Sequence, residues 1–139
     1  MYADFKPIVS KHYHAAYAGD IRNVAMARQG ITAFARECGF SEEALSDIRL
    51  AAGEALNNAV EHGCGTPEPS ISVECNFDGL QLTIMIEDGG RGFPEPSDRP
   101  NVEPNDRGRG FGIFLMRRLM DEVTFARNGS AVRLVRRHP

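Results

Sequence analysis

The chain has 139 residues, 42% of them apolar and 25% charged, the make-up of one globular domain spanning 1–139 with a real core. A net charge of −3 supplies no basic field for nucleic acid, and no run of about 18 apolar residues is present to span a membrane. The opening M-Y-A-D-F-K-P lacks a basic-then-apolar signal, so a cytoplasmic location is expected.

In chain order, a first strand is expected from about Val9 to Tyr17, broken by Gly19-Asp20. Asp20 caps a helix from Ile21 to about Glu37, with Ile21, Val24, Ala25, Ile31, Phe34 and Ala35 on its apolar face, and Gly39 ends it. Ser41 caps a second helix, with Glu42 and Glu43 in its first turn, where the helix dipole favours acids. That helix runs to His62, and Ala51, Ala52, Ala55, Leu56, Ala59 and Val60 form its apolar stripe.

The periodicity then changes to two. Ile71, Val73, Cys75 and Phe77 point to one side, as do Leu80, Leu82, Ile84 and Ile86, and Asp78-Gly79 joins the two strands in a tight hairpin. A segment rich in glycine, proline and charge follows, from Gly89 to Gly110, and then the short helix F-G-I-F-L-M-R-R-L-M. A second hairpin turns at Asn128-Gly129. Its last strand, V-R-L-V-R-R, alternates apolar and basic residues as a strand with one wet face does. This order predicts an α+β fold: a mixed, mostly antiparallel sheet with helices on one face.

Cys38, Cys64 and Cys75 are an odd number with no C-x-x-C pair, so neither a disulfide framework nor a zinc site is expected. Cys38 and Cys75 read as small core hydrophobes, and Cys64, between two glycines, as a loop cysteine or a reactive thiol.

Three motifs carry chemistry. Glu54 and Asn58 stand four apart on the second helix, so their side chains share one face. A carboxylate and an amide so placed can share a hydrated cation or hold a water, or simply form a polar surface. Asp88 closes a buried strand and is followed by Gly90 and Gly92. A carboxylate there can accept hydrogen bonds from an exocyclic amine such as adenine's, and the glycines let backbone approach a flat ligand. Gly108, Gly110 and Gly112 then precede a helix, where exposed N–H groups and the dipole favour an anion. The P-loop ending is missing, and no parallel strand–helix–strand unit supports a dinucleotide fold.

A helix with E-x-x-x-N, then D-x-G-x-G, then a lid-like loop ending in G-x-G-x-G resembles the GHKL ATPase superfamily, whose two-layer Bergerat fold is the expected architecture. The phrases E-A-L-N-N-A-V-E-H-G and L-M-R-R-L-M-D-E-V resemble the small bacterial anti-sigma-factor serine kinases, over about Asp20 to Val135. That resemblance implies ATP and Mg²⁺, with Asn58 holding the metal and Glu54 as general base toward a substrate serine or threonine. It implies Asp88 on the adenine amino group, Gly90 and Gly92 shaping the pocket, Gly108, Gly110 and Gly112 wrapping the phosphates, and a lid from Pro94 to Arg107. Ser130 stands where such families use a threonine at the adenine site. Arg28 lines up with a first-helix arginine that touches partners. The implied partners are a STAS-type antagonist and a sigma factor, and a homodimer is implied as well. The alternative is a nucleotide-responsive binding module without kinase activity, and Glu54 separates the two, because ATP binding needs no base.

Overall fold

Two apolar periodicities sort the chain into two layers. The computed structural model describes residues 10–63, 67–89, 111–126 and 130–138. Five strands form one sheet: β1 (Lys11–Ala18), β2 (Ser70–Phe77), β3 (Gln81–Asp88), β4 (Glu122–Ala126) and β5 (Ala131–Arg137), in the order β1-β2-β3-β5-β4. All four pairings are antiparallel, so the described sheet has none of the parallel component that a mixed sheet would carry. Three helices pack over it: α1 (Val24–Glu37), α2 (Glu42–Gly63) and α3 (Phe111–Leu119).

The strand alternation fixes which face the helices cover. Ile71, Val73, Cys75 and Phe77 of β2 and Leu82, Ile84 and Ile86 of β3 are buried, while Ser70, Glu74 and Asn76 on the opposite row of β2 are exposed. Against the buried row lies the α2 stripe of Ala51, Ala52, Ala55, Leu56 and Ala59, joined by Ile31 of α1 and Met116 of α3 in one core. Four of those α2 residues are alanine, so the helix axis can approach the sheet closely. Cys38 and Cys75 are both buried as expected.

Local chemistry places the element ends. The Ser41 hydroxyl accepts the Ala44 N–H at 3.1 Å, and Gly39, at φ +90°, ends the turn after α1. In the β2–β3 turn the Asp78 carboxylate accepts the N–H groups of Leu80 and Gln81, both at 2.8 Å, around Gly79 at φ +92°.

Four expectations are corrected. Ile21 belongs to a single 3₁₀ turn (Ile21–Asn23) ahead of α1 and is 61% exposed, because three residues per turn rotate it off the face that a 3.6 period predicts. Ala25 is exposed on α1 as well. Leu80 is 75% exposed, since the Asp78 turn holds it outside the strand and the alternation starts only at Gln81. The last strand does not have a wet face along its length: Ala131 and Val135 are buried on one side, and Val132 and Leu134 on the other. On the outer side Val135 lies opposite Glu122, and that carboxylate pairs with Arg133 and Arg137, two residues either way. The long stems of those arginines shield what lies between them. With Arg136 paired to Asp47 at 2.9 Å, the basic tail is largely neutralised in place.

Among the described residues, no helix is long and apolar enough to cross a membrane. Gly90, Gly92, Gly108, Gly110, the segment from Pro94 to Arg107, Cys64 and Asn128-Gly129 lie outside the described residues.

Candidate active site

The site sits where the C-terminal half of α2 crosses the end of β3. Helical spacing puts Glu54 and Asn58 one turn apart, both half-buried, while Ala55 and Ala59 beside them face the core. Polar and small residues alternate here because one face of α2 must pack on the sheet and the adjoining face borders a hollow. Gly63 ends the helix against Asp88: a Cβ on that glycine would stand 3.6 Å from the Asp88 Cβ.

Asp88 is the last residue of β3 and only 8% exposed, with Oδ2 buried. Its backbone N–H donates to the Ser130 carbonyl at 2.8 Å, which extends the β3–β5 ladder by one step and brings Ser130 beside it. Gly89 continues the chain with its N–H donating to the Ser70 carbonyl at 3.2 Å. A side chain there would meet the Ser70 hydroxyl at 2.6 Å, so the strand exit is tight.

These elements border a hollow with about 230 Å³ of empty space, part of it open solvent. It is lined by Asn58, Asp88 and Ser130 together with the apolar Ile86, Met116, Phe125 and Val132 and the small Ala55, Ala59 and Ala131. Three residues expected from sequence thus converge on one space from α2, β3 and the start of β5. Glu54 is not among its lining residues; it stands one turn away along α2, beside Gly112 in the first turn of α3. Arg28 is also outside the hollow, its stem lying over α2 with Cδ 3.3 Å from where a Gly53 Cβ would be. The apolar walls were missed by motif reasoning, as core residues and pocket walls share one periodicity; the small pair Ala55 and Ala59 flanking Asn58 was the available signal.

The donor set suits a flat, amine-bearing ring. A buried carboxylate offers acceptors, Ser130 a hydroxyl, and the apolar walls exclude water from the ring faces. Among the described residues no group of three His, Cys, Asp or Glu side chains is placed to hold a metal. An amide oxygen at Asn58 suits Mg²⁺ shared with phosphate oxygens, the usual way this hard ion binds.

Residues 17–136 match the histidine kinase-like ATPase domain family. The chain is 31% identical to the serine-protein kinase RsbW of Listeria monocytogenes over 109 residues, 72% of this chain and 69% of that protein. With the anti-sigma F factor of Clostridium novyi it shares 30% identity over 111 residues, 73% of this chain and 75% of that one. A solved structure of the RsbU and RsbW domains of a Mycobacterium tuberculosis protein superposes with a TM-score of 0.64 at 21% identity, over 92% of this chain but 31% of that longer one. The histidine kinase domain of a blue-light activated kinase from Erythrobacter litoralis gives 0.53 at 23% identity, over 87% and 63%. At those identities the two structures speak to the fold alone. On sequence and fold together, this chain belongs to the histidine kinase-like ATPase family, in the branch of the RsbW-type serine-protein kinases and anti-sigma factors.

Proposed function

We propose that this chain is an ATP-dependent serine/threonine-protein kinase acting as an anti-sigma factor. It phosphorylates a STAS-type antagonist and binds a sigma factor, so that one partner is exchanged for the other. The observation that carries this is the geometry of α2: Asn58 lines the same hollow as Asp88 and Ser130, and Glu54 stands one turn back along the same helix, outside it. A base beside the nucleotide site, rather than in it, is where an acceptor hydroxyl from a partner would arrive. The names of the similar proteins point the same way.

Within this reading Asp88 accepts the adenine amino hydrogens and Ser130 supports that end of the site. Ile86, Met116 and Val132 exclude water from the ring, which strengthens the polar contacts inside. Gly90, Gly92, Gly108 and Gly110 belong to the backbone that approaches the nucleotide, while Gly112, in the first turn of α3, stands beside Glu54. Asn58 would hold Mg²⁺, and bound Mg-ATP supplies the phosphoryl group together with charge neutralisation at its oxygens. Glu54 takes the proton from the substrate hydroxyl at a carboxylate oxygen, and α2 fixes its distance from Asn58. Arg28, beside Gly53, is the proposed partner contact. The same reading expects a cytoplasmic protein and allows a homodimer.

Replacing Glu54 by Gln tests the base. It keeps the side chain's shape and removes its basicity, so ATP affinity should stay within about twofold while transfer falls about 10²–10⁴-fold, the usual range for a general base. Equal transfer by wild type and Glu54→Gln would remove Glu54 from the chemistry. Tight ATP binding with no transfer to any STAS protein would favour a nucleotide-responsive binding module instead.

A further inference from the structure

Gly112 lies in the first turn of α3, and its place on that helix is not dictated by backbone conformation. Among the described residues the glycines at positive φ are Gly39 and Gly79, so the helical φ of Gly112 suits alanine equally well, and alanine is the better helix former. What singles out position 112 is space. A Cβ there would stand 2.7 Å from Glu54 Oε2, 3.5 Å from its carboxyl carbon and 3.7 Å from its Cβ. Real Cβ atoms do not approach an oxygen that closely, and the atom in the way is the free end of a side chain. An added methyl would therefore turn the carboxylate aside rather than displace a helix.

We propose that Gly112 is a positioning residue for Glu54: the missing side chain leaves the room the carboxylate occupies, so α3 sets the direction in which Glu54 faces the acceptor hydroxyl. The proposal rests on the kinase reading above and differs from a phosphate-wrapping role, because a backbone N–H that contacts phosphate survives replacement by alanine. α3 is well anchored for such a task. Met116, one turn on, is fully buried in the core between α2 and the sheet, and the Leu119 carbonyl accepts from Arg136.

The test is a double-mutant cycle with Gly112→Ala, Glu54→Asp and the combined variant. It reads ATP affinity by displacement of a fluorescent nucleotide, transfer rate to the STAS substrate, and the ¹³C resonance of the Glu54 carboxyl, assigned through Glu54→Gln. Gly112→Ala should leave ATP affinity within about twofold, shift the Glu54 resonance, and lower the rate about 10–100-fold, the scale of a misplacement near 1 Å. Aspartate is one methylene shorter and clears the methyl. Glu54→Asp should therefore be slow by itself, and Gly112→Ala should add no further loss in that background. A combined variant that folds where Gly112→Ala alone does not reports the same contact through stability.

Losses that multiply across the two backgrounds, an unmoved Glu54 resonance, or ATP affinity falling as far as the rate would each overturn the proposal. Failure of both Gly112 variants to fold would overturn it too. If the wild-type protein transfers phosphate to no substrate, the kinase reading falls, and the resonance shift alone decides whether Gly112 seats the Glu54 carboxylate.

Discussion

Asp88→Asn separates charge from shape at the base of the hollow. Asparagine has the same outline as aspartate, and the 2.8 Å bond from residue 88 to the Ser130 carbonyl uses the backbone N–H, so both survive the change. What is lost is a buried carboxylate acceptor, only 8% exposed. A hydrogen bond to a charged group contributes about 1.5–3 kcal/mol, against about 0.5–1.5 for a neutral pair. If the amide also turns its nitrogen toward the amine, the full charged bond is forfeited. The expected loss of ATP affinity is therefore about 10- to 100-fold, at about 1.4 kcal/mol per tenfold. Isothermal titration with Mg-ATP measures it, and thermal unfolding without nucleotide reads any change in stability separately. GTP provides a control, since its base carries a carbonyl where adenine has the amine. Asparagine can donate to that carbonyl, so the ratio of ATP to GTP affinity should collapse. An ATP affinity within about twofold of wild type, with the ATP preference intact, would refute the assignment of Asp88 to the base.

Other consequences concern the frame around the site. Gly30 of α1 leaves room for the hydroxyl of Tyr13, whose ring stacks on Phe34 at 5.8 Å between centroids. Gly30→Ala should lower stability by about 1–3 kcal/mol through overpacking, read by urea unfolding, even though alanine favours helix; a stabilised variant would contradict the packing. Arg136 binds Asp47 of α2 and the Leu119 carbonyl at the end of α3, with the paired side chains 23% and 28% exposed. Asp47→Ala should therefore cost about 1–3 kcal/mol, more than an exposed pair, and a change under about 0.5 kcal/mol would show that the bridge is idle. Burial pushes the Cys75 thiol from 9.0 up to about 12, and a hydrogen bond with Tyr17, reinforced by burial, raises Tyr13 from 10.0 to about 12. Both groups keep their protons longer folded than unfolded, so their contribution is complete below about pH 9 and is lost as the pH climbs to about 12. Native Cys75 should resist thiol reagents at pH 8 and react only on unfolding; prompt labelling of Cys75 in the folded protein would contradict its burial.

How much of this was legible in the sequence depends on what each residue's pattern encodes. The α2 stripe and the two buried strand rows followed from period alone, because each packs against a single partner layer. Asn58 and Asp88 were found as chemistry set on a helix face and a strand end, Ser130 only through the family resemblance, and the fold brings the three to one hollow. The exceptions have local causes. Ile21 was misplaced by a tighter helical turn, and Leu80 by an Asp-held turn that delays the strand. The wet side of β5 is roofed at Val135 by paired arginines whose partner, Glu122, sits on another strand. Equally hidden was the contact between Gly112 and Glu54, which joins two helices far apart in sequence and leaves no local periodicity.

In the proposed kinase reading, Glu54, standing beside the hollow, takes the proton from the substrate hydroxyl. The most direct test of that reading is transfer of the γ-phosphate from labelled Mg-ATP to each STAS-domain protein of the same genome, with Glu54→Gln run in parallel. Label on a serine or threonine of one antagonist, lost in the variant while ATP still binds, is the predicted result. ATP binding with no label on any antagonist, or label undiminished in Glu54→Gln, would contradict it.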